Sequence, residues 1–253
     1  MLDPRHILIT GASSGLGAAL AAAYAAPGRR LSLAGRSAER LSAVADHCRD
    51  VGAEVEAAVL DITDPVAMAD WMVRIDKTAP LDLVIANAGI SGGTYGGSES
   101  EAQVRAIFAA NVDGVLNTVL PVLPLMEARR RGQIALMASL AAHRGFPSAP
   151  AYCASKAAVK IWGEALRGQL APHGVAVNVI MPGYVKSPMT DANDFTMPFL
   201  MSAQRAASII RDGLARNRAR IAFPWPMTMI AWLLGTLHPA LTDPLLRRLP
   251  KKR

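Results

Sequence analysis

Short runs of β-branched and leucine residues alternate along this chain with longer amphipathic stretches, and that alternation restricts the fold more than any other feature. Strands are predicted near 6–10, 30–34, 54–60, 81–87, 132–138 and 175–181, and helices near 15–26, 38–51, 65–77, 101–129, 151–171 and 202–216. Ser37 is placed to open the second helix, and Asp64 the third with Pro65 at its first position. Strands that recur only after a helix run parallel, and the run Leu81-Asp82-Leu83-Val84-Ile85-Ala86 suits a strand buried on both faces. The expectation is a single doubly wound, Rossmann-type α/β sheet flanked by helices on both faces, with ligands bound beyond the carboxyl ends of its strands. No linker divides the 253 residues, so residues 1–220 are expected to form one domain and 221–253 an apolar and basic extension.

The chain starts without a basic segment, long apolar stretch and cleavage site, so a cytoplasmic protein is expected. Cys48 and Cys153 show no pairing or ligand spacing, and the five histidines form no ligand pair. A net charge of +7 raises the question of nucleic acid. Much of the excess, however, sits in Arg129-Arg130-Arg131 and in Arg247, Arg248, Lys251, Lys252 and Arg253, without interleaved aromatics. The arginine triplet reads as a solvated helix end, with docking of an anionic partner as the alternative.

Immediately after the first strand comes Thr10-Gly11-Ala12-Ser13-Ser14-Gly15-Leu16-Gly17, followed by an alanine-rich helix. Glycines permit a tight turn and close approach to a pyrophosphate, whose charge is stabilised by the free N–H groups at the helix start. The second strand ends at Gly35-Arg36-Ser37, where binding the free ribose hydroxyls of NAD would call for a carboxylate. The Arg36 guanidinium suits a phosphate instead, which favours NADP(H). Asp61 stands where it can accept from the adenine amino group, or else assist Asp64 in capping. Asn87-Ala88-Gly89 ends the fourth strand, beside the cofactor on this topology.

Ser139 ends the fifth strand, and Tyr152 and Lys156 lie four apart on one helix face. A phenol titrates near ~10, and an adjacent ammonium is expected to bring it down by ~1–3 units towards a working range. Ser139 would hydrogen-bond the substrate oxygen.

With these residues in order, the sequence resembles the classical short-chain dehydrogenase/reductase family from about residue 5 to 190. The resemblance is carried by Thr10-Gly11-x-x-x-Gly15-x-Gly17, Asn87-Ala88-Gly89, Asn111, Ser139, Tyr152-x-x-x-Lys156 and Pro182-Gly183. It implies that Tyr152 is the general acid/base, with Lys156 lowering its pKa and binding the nicotinamide ribose. It also implies that Ser139 polarises the carbonyl, that Asn111 holds a relay water, and that Pro182-Gly183, followed by Val185 and Ser187, admits the nicotinamide. A homodimer or homotetramer built on the helices near 101–129 and 151–171 is implied as well. Three positions depart from the usual pattern: Ala86 replaces an asparagine, Ser187 stands where threonine often contacts the carboxamide, and Ser14 occupies a position often basic in NADP enzymes.

Met189, Phe195, Met197, Phe199 and Met201 form an apolar set suited to an apolar substrate, or to core packing. Residues 221–242 carry no formal charge, but Pro224, Pro226 and Pro239 leave about eleven residues of continuous helix, ~16 Å at 1.5 Å per residue, too short to span a bilayer. A lid or subunit contact, a helix at the membrane surface, and core packing remain open for this segment. Two other functions also remain: an NADP(H)-binding sensor without turnover, and a carrier-protein-linked 3-ketoacyl reductase that meets an acidic carrier through Arg129–Arg131.

Overall fold

The computed structural model describes residues 3–94 and 97–247. Seven strands form one parallel sheet in the order β3-β2-β1-β4-β5-β6-β7. They are β1 His6–Thr10, β2 Arg30–Gly35, β3 Glu54–Val59, β4 Leu83–Ala86, β5 Gly132–Met137, β6 Val175–Pro182 and β7 Arg220–Phe223. Six of the seven match the expected runs. β4 is shorter than predicted, although the Asp82 N–H still donates to the His6 carbonyl and the Asp82 carbonyl accepts from Gln133. The Asp82 carboxylate accepts the Arg5 and His6 N–H groups, and the Asn87 N–H turns to the Thr10 hydroxyl.

The two-residue period of the strands sends alternate side chains to opposite layers. On one face Ile7, Ile9, Leu31 and Leu33 pack with α1 (Gly15–Tyr24), α2 (Ala38–Asp50) and α9 (Ala203–Ala215). On the other, Leu8, Val84, Ile134 and Leu136 meet α3 (Pro65–Thr78), α5 (Gly114–Val119), α6 (Leu123–Ala128) and α7 (Pro150–Leu170). Helix starts follow the side chains available for capping: the Ser37 hydroxyl accepts the Arg40 N–H, and Asp64 accepts from Val66 and Ala67.

The single helix expected over 101–129 is interrupted. It begins as α4 (Glu101–Phe108), widens into a π-helical turn over Ala109–Asp113, and resumes as α5 and then α6. Asn111 lies on that turn and is fully buried. The expected boundary after residue 220 falls inside β7, so the presumed extension begins as an edge strand of the main sheet. Beyond it come α10 (Trp225–Thr236) and α11 (Pro239–Leu246), while α8 (Pro188–Asp191) is a single short turn before α9. Of the basic tail, Arg247 is described and Arg248, Lys251, Lys252 and Arg253 lie outside the described residues.

Of the triplet Arg129-Arg130-Arg131, Arg129 belongs to the fold, whereas Arg130 and Arg131 are exposed at the helix end as the solvated reading expects. Arg129 pairs with the buried Asp76 at 2.7 Å and donates to the Leu81 carbonyl, Arg130 donates to the Pro172 carbonyl, and Arg131 pairs with Asp82.

Candidate active site

Strand order reverses between β1 and β4, and the crevice at their carboxyl ends holds the glycine-rich turn. Three glycines here answer to space. Gly11 has φ +67°, and a methyl on it would lie 2.8 Å from the Ala88 Cα. One on Gly15, at φ +53°, would lie 2.9 Å from the Ser187 Cβ, and one on Gly17 would meet the Gly11 carbonyl oxygen at 2.1 Å. The first turn of α1 carries no acidic residue, and its N-cap Ser14 makes no side-chain capping bond, so the leading N–H groups of Leu16 and Gly17 face the crevice uncapped. Bare backbone donors at a positive helix end, with no side chains to hold a ligand away, fit the pyrophosphate of a nicotinamide dinucleotide.

Thr10 holds the next wall in place. Its hydroxyl accepts the Asn87 and Ala88 N–H groups at 3.1 Å, and its carbonyl accepts from the Asn87 amide at 2.9 Å. The asparagine thus spends its amide on the end of β1. At the carboxyl end of β2, a methyl on Gly35 would lie 3.1 Å from the Ser13 hydroxyl, so that hydroxyl borders Arg36. Arg36 is exposed and, among the described residues, makes no ion pair. Asp61 does not cap α3. Its Oδ1 accepts the Thr63 N–H and hydroxyl, which holds its carboxyl below the usual range, with a smaller contribution from Arg36.

The remaining groups converge over Gly89. A methyl there would lie 2.8 Å from Asn111 Oδ1 and 3.3 Å from Lys156 Nζ. Lys156 is buried, donates to the Met137 carbonyl at 2.8 Å, and is pushed down to about 8 by burial. Its Nζ lies 5.9 Å from the centre of the Tyr152 ring, and the Tyr152 phenol is hydrogen-bonded to Ser139. Ser139 also accepts the Ala141 N–H and contacts the Pro182 carbonyl at 3.4 Å, which ties β5 to β6 at this corner.

One electrostatic expectation fails here. Burial raises the Tyr152 phenol above its ordinary value, the Ser139 hydrogen bond opposes that shift, and Lys156 is not among the causes. The same burial that penalises the phenolate also weakens the ammonium that was to stabilise it.

Pro182-Gly183 leaves β6 for α8. The Gly183 N–H donates to the Phe223 carbonyl, Val185 is buried in a bridge to Met201, and Ser187 forms a capping box with Thr190. Met201 therefore serves the core, whereas Met189 and Phe199 are exposed. Phe195 packs edge-on against Tyr184, with ring centres 6.0 Å apart.

Sequence reasoning missed three positioning residues. The Ser155 hydroxyl accepts from the Asn111 amide at 3.0 Å and donates to the Tyr152 carbonyl at 2.8 Å, joining the π-turn to α7. Its place beside Lys156 could have flagged it. Thr10 stood inside the quoted glycine motif. Glu99, which accepts the Ala151 N–H at the start of α7, lies 52 residues away and leaves no local pattern.

A doubly wound sheet, a phosphate-binding turn at its switch point, and a Ser/Tyr/Lys cluster beside it define a nucleotide-dependent oxidoreductase. The short chain dehydrogenase family model matches residues 5–197. An uncharacterized oxidoreductase of Myxococcus xanthus is 40% identical over 246 residues, covering 97% of both chains. Among solved structures, a short chain dehydrogenase/reductase of Burkholderia phymatum in complex with NAD superposes with a TM-score of 0.84 at 25% identity, covering 100% of this chain and 99% of that one. A short-chain dehydrogenase of Sphingobium yanoikuyae in complex with NADPH gives 0.79 at 25% identity, covering 98% and 97%. The chain belongs to the short-chain dehydrogenase/reductase family and is an oxidoreductase that uses a nicotinamide cofactor.

Proposed function

We propose that this protein transfers a hydride between NADP(H) and a lipophilic carbonyl compound or secondary alcohol, with Tyr152 as the group that moves the proton. The observation that carries this reading is the Ser139–Tyr152 hydrogen bond set beside the buried Lys156. When bound, the cofactor supplies or accepts the hydride.

The rest is done by side chains of this chain. In the reductive direction, Ser139 donates to the substrate oxygen while the Tyr152 O–H gives that oxygen its proton. Lys156, ionised in the main at neutral pH, stands 5.9 Å from the centre of the Tyr152 ring, where it would hold the ribose next to the nicotinamide. Asn111 and Ser155 fix the geometry of that lysine and of α7, and Asn111 holds the route by which a proton returns. Oxidation of the alcohol runs the same proton path backwards.

NADP(H) is favoured because Arg36, rather than a carboxylate, follows the carboxyl end of β2, where an acceptor for a free 2′-hydroxyl would be expected. The lipophilic substrate is favoured by Met189, Phe199 and Leu200, exposed on the segment that follows the nicotinamide turn. Subunits meet through the helices that carry Phe108 and Ile161, both of which are exposed.

The test is a Tyr152→Phe chain. Turnover of ketones, followed by NADPH absorbance, should disappear while NADPH affinity stays within a few-fold of wild type. Retained turnover would refute the role of Tyr152, and the absence of turnover in the wild-type chain across ketones and secondary alcohols would favour a sensor. An Arg36→Leu chain should lose about 10- to 100-fold in preference for NADPH over NADH, the worth of a charged hydrogen bond.

A further inference from the structure

We propose that the outward faces of α10 and α11 dock this protein on an anionic lipid surface. A soluble helix ordinarily turns one apolar stripe inward and a polar face outward. α10 departs from that pattern. Ala231 is its buried residue, yet the opposite face carries Trp225, Met229, Trp232 and Leu233, spaced as neighbours on a helix and all about half exposed or more. Trp225 is the most open, at 75%. α11 repeats the arrangement: Thr242 and Leu246 face inward, while Leu241 and Leu245 are exposed at 70% and 56%. Large apolar side chains left facing outward on two consecutive helices mark a place that something covers.

Charge says what that cover is. From Ile221 to Thr242 no side chain carries a formal charge apart from a protonated His238. The one acid of α11, Asp243, is already paired with Arg144 at 2.6 Å. Five cations then follow in seven residues, Arg247, Arg248, Lys251, Lys252 and Arg253, with no acid among them. An anionic bilayer pairs with the tail and takes up tryptophan and leucine at the same boundary.

The docked element is fastened to the rim of the catalytic crevice. Met227 lies 3.1 Å from where a methyl on Gly183 would sit, and the backbone of α10 at Gly235 packs on the His143 carbonyl. Arg144 reaches both Thr242 and Asp243. A surface that covers α10 and α11 therefore lies next to the Ser139 and Pro182-Gly183 loops. The docking does not depend on the reaction proposed above, and its test needs no substrate.

The intact chain should float with vesicles of phosphatidylcholine mixed with phosphatidylglycerol and not with phosphatidylcholine alone, and should detach as salt is raised. Replacing the tail cations by glutamine should weaken binding roughly fivefold for each one removed. A Trp225→Ser/Trp232→Ser chain should lose flotation while its NADPH affinity and thermal midpoint, which report folding, stay unchanged. On the unmodified protein, brominated lipid should quench tryptophan fluorescence. Failure of the wild-type chain to float or be quenched would overturn the proposal, as would equal binding to neutral vesicles. A dimer that the two serine substitutions dissociate, without lipid binding, would assign the face to a second copy and overturn it too.

Discussion

Burying Lys156 penalises its charge, and replacing it with methionine should make the protein more stable while ending turnover. Its ammonium is pushed from 10.5 to about 8, and each unit corresponds to about 1.4 kcal/mol, so the burial penalty below pH 8 is about 3 kcal/mol. Methionine of similar length removes that penalty but forfeits the hydrogen bond to the Met137 carbonyl, worth about 1 kcal/mol. The net gain is about 2 kcal/mol, or roughly 4–8 °C in Tm for a chain of this size. The gain should depend on pH. Folded Lys156 releases its proton near 8 and the unfolded side chain near 10.5, so between these values the unfolded chain holds more protons and the wild type becomes more stable as pH rises. The advantage of Lys156→Met is therefore full at pH 7 and shrinks through pH 8 to 10. Tyr152 titrates in the opposite sense, but it is present in both proteins and its direct contribution drops out of the difference. Calorimetry of ligand-free wild type and variant across pH 6–10 measures this directly. A variant less stable than wild type at pH 7, or a difference that stays constant with pH, would refute the argument that burial governs this lysine.

A Gly17→Ala chain should fold but bind NADPH about ten- to a hundredfold more weakly by fluorescence titration, because its methyl would sit 2.1 Å from the Gly11 carbonyl oxygen and push the phosphate turn apart. Asp76→Asn leaves Arg129 without its buried partner and should cost about 3 kcal/mol, measured by urea unfolding, with NADPH affinity unchanged. His6, whose ring bonds the Ala79 carbonyl and the Ser32 hydroxyl, is held below its ordinary value by burial, so stability should fall as pH drops below 6.5. His6→Gln should lower Tm at pH 7 yet flatten that acid decline; parallel profiles for the two proteins would assign the decline to other groups.

The layers of this protein were legible because β-branched runs and amphipathic stretches keep the periods of the elements they form, and turn glycines announce where backbone must pass close to backbone. Ser139, Tyr152 and Lys156 were readable for the same reason: two share a helix face and the third ends a strand. β7 escaped because four residues, ending at Phe223 and merging through Pro224 with the apolar run of α10, offer no period to count. The break at Ala109–Asp113 escaped because a π-turn keeps the apolar stripe of the helix on either side. Arg129 was misjudged because sequence shows a cation at a helix end but not the acid brought to it from 53 residues away. The direction of the Tyr152 shift was misjudged because spacing reports a neighbour's charge and says nothing of how much water both groups have lost.

The widened turn at Ala109–Asp113 makes the reach of Asn111 separable from the stability of the helix that bears it. A π-turn behaves as one residue inserted into an α-helix and absorbed locally. Excising Ala110 would let the coil close to its regular pitch, with Val115, Val119 and Met126 still facing the sheet and the carboxamide drawn back from Ser155 and Ile90. The molecule thus carries its irregular turn as a removable spacer, one codon long, between an intact scaffold and the carboxamide it presents to Ile90 and Ser155.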